Sequence, residues 1–258
     1  MNMLRAIVMV LFSAALLRAQ AQVAHEPALP ASWKEHLTAL EYIRSRSANE
    51  QVFLKKLFSY VHRHLLREFT EEVSFDQTIS TGNYNCLTAT TTFALLLRHF
   101  GISHEVVETT YHIFILARLN GKVWLMETTD AGRGLIRGEK VVFRQMENYR
   151  HFVPAQGKEH VYVFRKNIFN TTSITGLRGL DFYNQAVYAY NRRDIKKSVY
   201  LLQQAAVYYH SPRIQELAGL LWISVQESQL NELLKNELTR RLAIVRNISA
   251  PLLASSAP

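Results

Sequence analysis

The dipeptide Asn120-Gly121 constrains the fold of this chain more than any other local feature. It separates two runs in which apolar residues alternate with other residues, HEVVETTYHIFILARL before it and KVWLMETTD after it. Asn-Gly between alternating runs favours a two-residue type I′ turn, because both turn positions need a positive φ. We therefore predict an antiparallel β-hairpin in which Leu119 pairs with Lys122.

The chain before the hairpin has helical periodicity. Two helices are predicted over residues 31–46 and 48–69, where apolar side chains recur at intervals of three and four. A third helix is predicted over 86–100, CLTATTTFALLLRHF, and Gly101 is placed to end it. Its threonines have modest helix propensity, so we expect burial rather than propensity to stabilise this helix.

Strands and then helices are predicted after the hairpin. Two short apolar runs, KVVFR at 140–144 and HVYVF at 160–164, read as further strands. From about residue 177 the pattern is helical again, with one helix pair over 179–210 and a weaker pair over 213–246. A hairpin flanked by segregated helices indicates an α+β protein.

The N-terminus has the three parts of a secretory signal peptide. Arg5 gives a positive start, residues 6–17 are mostly apolar, and Ala19-Gln20-Ala21 fits a cleavage site. The apolar run is too short to span a bilayer, so no transmembrane anchor is expected. We predict a signal peptide over 1–21, a linker over 22–30, and an exported protein that is periplasmic or secreted.

The formal net charge is +9 at pH 7. Such a charge can attract nucleic acid, an anionic surface or an acidic polymer. The lysines and arginines are spread along the chain and do not form the interleaved basic and aromatic pattern of a nucleic-acid module. We therefore expect a solvated basic surface and no nucleic-acid partner.

Cys86 is the only cysteine of the chain and cannot form an internal disulfide. In an exported protein such a residue indicates intermolecular pairing or a reactive thiol, and the alternative is a buried thiol that acts as a small apolar group. Cys86 stands at the predicted start of the helix over 86–100, where backbone N–H groups stabilise a thiolate. A nucleophilic thiol also needs a histidine to exchange its proton and an acid or amide to orient that histidine.

The predicted hairpin register supplies the other two groups. It places His112 opposite Thr129 and Phe114 opposite Glu127, so Glu127 lies diagonally across from His112 on the same face. Asp130 points to the other face in this register, although a slip of one residue would exchange the two acids. We predict Cys86, His112 and Glu127 as a catalytic triad, with Asp130 as the alternative third member.

Residues 82–130 resemble the transglutaminase-like superfamily, whose core is related to papain-like cysteine proteases. The resemblance rests on Gly82-x-x-x-Cys86, the helix ending in HFGI, the run YHIFILARL with its histidine, and the run WLMETT. The family's third motif usually carries aspartate, whereas this chain has Glu127. The resemblance implies a papain-like α+β core, the same three catalytic residues, and no metal or organic cofactor.

The segment 179–210 resembles one tetratricopeptide unit. Its matching positions are Phe182, Ala186, Ser198, Leu202 and Ala205. Fewer than three repeats rarely stand alone, so we expect this segment to pack on the first domain. The predicted domains are a transglutaminase-like domain over 31–168, a helical domain over 177–247 and a flexible tail over 248–258.

The family resemblance implies a thiol hydrolase or acyltransferase, such as a cysteine peptidase or amidase. It would act on peptide or isopeptide amides through a thioester, and a cell-wall peptide is one candidate substrate. The Cys86 backbone N–H is the natural oxyanion donor, and the second donor stays open among Asn83, Tyr84, Asn85 and Gln77. The alternative is an inactive binding module of the same fold, with a protein partner on the C-terminal helices.

Overall fold

The computed structural model describes residues 29–152 and 162–249. The predicted signal peptide lies outside these residues, as do the linker up to residue 28 and the tail from residue 250. Residues 248 and 249, which were assigned to the tail, belong to the last helix. No helix in the described part is long and apolar enough to cross a membrane.

The protein is an α+β structure, as predicted. The described residues contain nine helices: α1 (Ala31–Ser45), α2 (Glu50–His64), α3 (Phe75–Thr81), α4 (Cys86–His99), α5 (Glu139–Arg150), α6 (Ile174–Asn191), α7 (Ile195–Tyr208), α8 (Pro212–Glu227) and α9 (Glu232–Ser249). Their strands are β1 (Glu68–Phe69), β2 (Asn83–Tyr84), β3 (His104–Thr109), β4 (Ile113–Leu119), β5 (Lys122–Met126), β6 (Leu135–Arg137) and β7 (Phe169–Thr172).

Five strands form one antiparallel sheet in the order β6-β5-β4-β3-β7, and β1 pairs with β2 in a separate parallel ribbon. The central hairpin is confirmed: Leu119 pairs with Lys122, and the ladder continues to Ile115 and Met126. Asn120 and Gly121 have φ values of 49° and 73°. Both turn residues therefore adopt the positive φ that a type I′ turn requires.

The helix predicted over 86–100 is confirmed as α4, which packs on one face of the sheet and is buried along most of its length. Burial of its threonines is possible because their hydroxyls find partners. Thr91 Oγ1 donates to the Leu87 carbonyl at 2.9 Å, and the Thr90 and Thr128 hydroxyls are 2.8 Å apart. The Thr90–Thr128 contact joins α4 to the segment that follows β5.

The strand predicted over 140–144 is wrong, because these residues lie in the helix α5. Val142, Met146 and Tyr149 recur at helical spacing and pack against Phe114 and Leu125 on the second face of the sheet. Over only five residues, the apolar run KVVFR fits both a strand and a helix. The helical period becomes visible only over the whole segment.

The strand predicted over 160–164 is not present in its described part, because residues 162–164 have no regular structure. The last strand of the sheet is β7, which pairs with β3 beyond the predicted domain boundary at 168. The sequence reading also missed α3, β6 and the β1–β2 ribbon.

Helices α6 to α9 form a C-terminal helical unit. The first pair turns at Asp194, whose side chain caps α7 by accepting from the Lys197 backbone N–H at 3.0 Å. One hydrophobic cluster runs from the sheet and α4 into this unit, where it includes Leu177, Tyr183 and Tyr209. The tetratricopeptide assignment stays a prediction.

Candidate active site

Cys86 is the first residue of α4 and is partly buried. Asn85 precedes it as the N-cap and accepts from the Thr88 backbone N–H at 3.0 Å. The Asn85 amide donates to the carbonyls of Glu71 and Val73 at 3.0 and 3.2 Å. The start of the helix is therefore fixed from both sides, and Cys86 lies where the helix dipole favours a negative charge.

Gly82 makes the approach to this helix possible. It ends α3 in the left-handed region with φ +83°, and a Cβ there would lie 2.7 Å from the Arg67 side chain. Only glycine adopts this conformation readily. The chain can therefore leave α3, form the short β2 and begin the next helix at Cys86.

His112 lies close enough to Cys86 for the thiol to raise the pKa of its imidazole. It stands immediately before β4, in the tight turn that connects β3 to β4. Thr109 holds this turn: its Oγ1 accepts from the His112 N–H at 2.9 Å, and its own N–H donates to the His112 carbonyl at 2.8 Å. The backbone of His112 is thereby fixed to the end of β3.

Glu127 follows β5 directly and meets the same histidine. His112 Nε2 lies 2.5 Å from Glu127 Oε2, so Nδ1 is the ring nitrogen that this carboxylate leaves unoccupied. The carboxylate also accepts from Tyr149 Oη at 2.6 Å and from Thr129 Oγ1 at 2.6 Å. These bonds fix the carboxylate, which in turn fixes the orientation of the imidazole.

Asp130 has a different role in the structure. Its Oδ1 accepts from the backbone N–H groups of Gly132 and Arg133 at 3.1 and 2.9 Å. It thus closes the turn after Glu127, and its side chain is 40% exposed. Of the two acids considered from the sequence, the structure brings Glu127 to His112.

Burial and hydrogen bonding shift the pKa values of His112 and Glu127 in opposite directions. Burial alone would lower the pKa of His112, but the hydrogen bonds and charges of Cys86 and Glu127 raise this pKa to about 9. Burial would likewise raise the pKa of Glu127, but His112, Thr129 and Tyr149 lower it to about 2. At neutral pH the imidazole is therefore protonated and the carboxylate is ionised.

Tyr149 is the site residue that the sequence reading missed. It lies on α5 and packs its ring 4.6 Å from the His112 ring and 5.0 Å from Phe114. Burial, followed by the bond to the Glu127 carboxylate, raises the pKa of Tyr149, so its hydroxyl remains a donor. The helical spacing of Val142, Met146 and Tyr149 was the signal that could have revealed it.

One of the four side chains considered as a second oxyanion donor is committed elsewhere, because the amide of Asn85 donates to the carbonyls of Glu71 and Val73. Gln77 caps α3 through its Oε1, which accepts from Ser74. The Cys86 N–H stands at the first helical position, where no intrahelical partner exists. Among the described residues, no three His, Cys, Asp or Glu side chains are grouped as metal ligands would be.

No known family model, curated protein or solved structure matches this chain at a significant level. The transglutaminase-like assignment therefore stays a resemblance of motifs. A function for this chain is therefore inferred from the geometry of Cys86, His112 and Glu127.

Proposed function

We propose that this protein is a thiol hydrolase or acyltransferase that acts on amide bonds through Cys86, His112 and Glu127. The observation that carries the proposal is a thiol at a helix start beside an imidazole that is hydrogen-bonded to a buried carboxylate. A thiol at a helix start, paired with a histidine that is oriented by an acid, is the arrangement that activates a cysteine nucleophile.

In the acylation step, the Cys86 thiolate attacks the carbonyl carbon of the amide and forms a C–S bond. The carbonyl oxygen becomes an oxyanion, which the Cys86 backbone N–H is placed to stabilise. When the oxyanion collapses, the C–N bond breaks and His112 gives its proton to the departing nitrogen. The products are a thioester on Cys86 and a free amine.

In the second step, His112 takes a proton from an incoming water or amine as that group attacks the thioester carbon. The C–S bond breaks and the thiolate returns to Cys86. Water as acceptor gives a carboxylic acid, whereas an amine gives a new amide. Glu127 stays ionised throughout, because it accepts four hydrogen bonds and its pKa is lowered to about 2.

Iodoacetamide labelling of the full chain tests the nucleophile directly, because the protein has one thiol. We expect Cys86 to react near neutral pH roughly ten times faster or more than free cysteine, since it stands at a helix start beside a protonated imidazole. His112→Ala should abolish this advantage. Labelling at the rate of free cysteine in both proteins would refute the enzyme proposal and favour an inactive binding module.

The substrate class is tested with an activity-based thiol probe in competition with peptide amides and peptidoglycan-stem amides. A substrate should slow the labelling of Cys86 and release an amine, and Cys86→Ala should release none. Mass analysis with and without an added amine separates hydrolysis from acyl transfer. Export is tested by sequencing the mature N-terminus, which should begin at Gln22.

A further inference from the structure

We propose that Arg213, which lies on α8 of the C-terminal helical unit, is a positioning residue for His112. The helical unit would then be part of the catalytic machinery rather than only an attached module. This inference rests on the proposed function, since it concerns the placement of the catalytic histidine.

Arg213 reaches from the helical unit to the end of β3. Its Nη2 donates to the carbonyls of Thr109 and Thr110 at 3.0 and 2.9 Å, and its Nε lies 3.0 Å from Glu108 Oε1. Arg213 is 8% exposed and Glu108 is 3% exposed. One planar guanidinium therefore holds three successive residues of the chain, which a lysine could not do.

These three residues lead directly to His112. Thr109 and His112 close the β3–β4 turn through three hydrogen bonds, two between backbone and Thr109 Oγ1 and one between backbone groups. Arg213 holds the carbonyls of both Thr109 and Thr110 within this turn. A shift of the turn would move the His112 backbone, and with it the imidazole that must meet Cys86.

The helical unit also contacts the chain beside the thiol. Tyr188 on α6 donates to the Glu71 carbonyl at 2.7 Å, and the same carbonyl accepts from the Asn85 amide at 3.0 Å. Arg192 on α6 forms an ion pair with Glu72. The unit therefore contacts the segments on both sides of the Cys–His pair, and it can set their separation.

Stability alone is a weak explanation for the Arg213–Glu108 pair. Burial raises the pKa of Glu108 despite the opposing charge of Arg213, so burial of this carboxylate is costly. Buried ion pairs are often replaced by apolar groups without loss of stability. Positional accuracy is a better explanation, because a displacement of about 1 Å in a catalytic group can cost about a hundredfold in rate.

The test is the double variant Arg213→Met/Glu108→Gln. Glutamine leaves no unpaired charge and still accepts from Tyr209, whose hydroxyl lies 2.5 Å from Glu108 Oε1. We expect a folded protein in which Cys86 alkylation near neutral pH falls about tenfold or more. In a histidine NMR titration, the pKa of His112 should move down toward its ordinary value.

The helical unit itself offers a matched control. Tyr200, Glu237 and Arg241 form the same Tyr–Glu–Arg arrangement, with Tyr200 Oη 2.6 Å and Arg241 Nε 3.0 Å from Glu237 Oε1. This cluster lies entirely within α7 and α9. Arg241→Met/Glu237→Gln makes the same chemical change away from the β3–β4 turn, and we expect it to leave both the alkylation rate and the His112 pKa unchanged.

The outcomes separate this inference from the proposed function. If His112→Ala labels as fast as the unaltered protein, the proposed function fails and the inference fails with it. If His112→Ala is slow but Arg213→Met/Glu108→Gln retains the original rate and His112 pKa, only the inference is overturned. Arg213→Lys decides the matter if the double variant misfolds: a lysine keeps the charge but cannot hold both carbonyls, so an unchanged rate would also overturn the inference.

Discussion

Replacing Glu127 by glutamine should lower the reactivity of Cys86 near neutral pH by about tenfold. The rise of the His112 pKa from 6.5 to about 9 corresponds to roughly 3 kcal/mol in favour of the protonated ring. Cys86 and Glu127 both supply this preference. If Glu127 supplies roughly half, its loss lowers the His112 pKa by about one pH unit. The equilibrium for proton transfer from the Cys86 thiol to His112 then becomes about tenfold less favourable.

The hydrogen bonds of Glu127 make glutamine a poor substitute. One carboxylate oxygen accepts from His112 and Tyr149, and the other accepts from Thr129. Glutamine has one acceptor oxygen, so its NH₂ group must face at least one of these donors. The unmet hydrogen bond adds about 1–3 kcal/mol to the cost of the lost charge.

Asp130→Asn is the matched control, because asparagine keeps the Oδ1 that accepts from Gly132 and Arg133. We expect its labelling rate to stay within about twofold of the original, as for a surface change. The assay is iodoacetamide labelling followed by intact mass across a pH series. Equal rates for Glu127→Gln and Asp130→Asn would refute the assignment of Glu127 as the orienting acid.

Two further predictions concern stability, measured as the free energy of unfolding in urea. The stabilisation from protonated His112 is fully present below about pH 6.5 and is lost as the pH rises through about 9. The stabilisation from ionised Glu127 is present above about pH 4.5 and is lost as the pH falls through about 2. The decline above neutral pH should therefore be shallower in Glu127→Gln, and an identical pH profile would contradict the pairing. Gly134→Ala should destabilise by about 2 kcal/mol or more, because its Cβ would lie 2.2 Å from the Glu127 carbonyl oxygen and 2.4 Å from that of Asp130. Gly132→Ala, whose Cβ would come no closer than 3.7 Å to Asp130, is the control, and equal stability of the two glycine variants would contradict the reasoning.

Much of the site could be predicted because its members are tied to local signals. The Asn120-Gly121 turn fixed the register of β4 and β5, and that register brought Glu127 rather than Asp130 to the His112 side. The change from a turn-rich segment to an apolar run predicted that a helix begins at Cys86, and it does. These features depend on a few neighbouring residues, so they can be read without knowledge of the rest of the fold.

The wrong strand prediction arose where a short segment fits both the period of a strand and that of a helix. Residues 140–144 form a short apolar run that fits a strand, but their place over the second face of the sheet selects the helix α5. This correction matters for the site, since α5 carries Tyr149 to the Glu127 carboxylate. A packing surface formed by distant strands decided between two locally similar conformations.

By itself the sequence determined the α+β class, the central hairpin, the start of α4 at Cys86, and the three residues proposed to act together. Only the tertiary structure decided what holds them in place. Tyr149 reaches Glu127 across 22 residues of chain, and Arg213 reaches Thr109 across 104. The reason is physical: turns and helix starts are set by neighbouring residues, whereas these supporting bonds exist only after distant elements have packed.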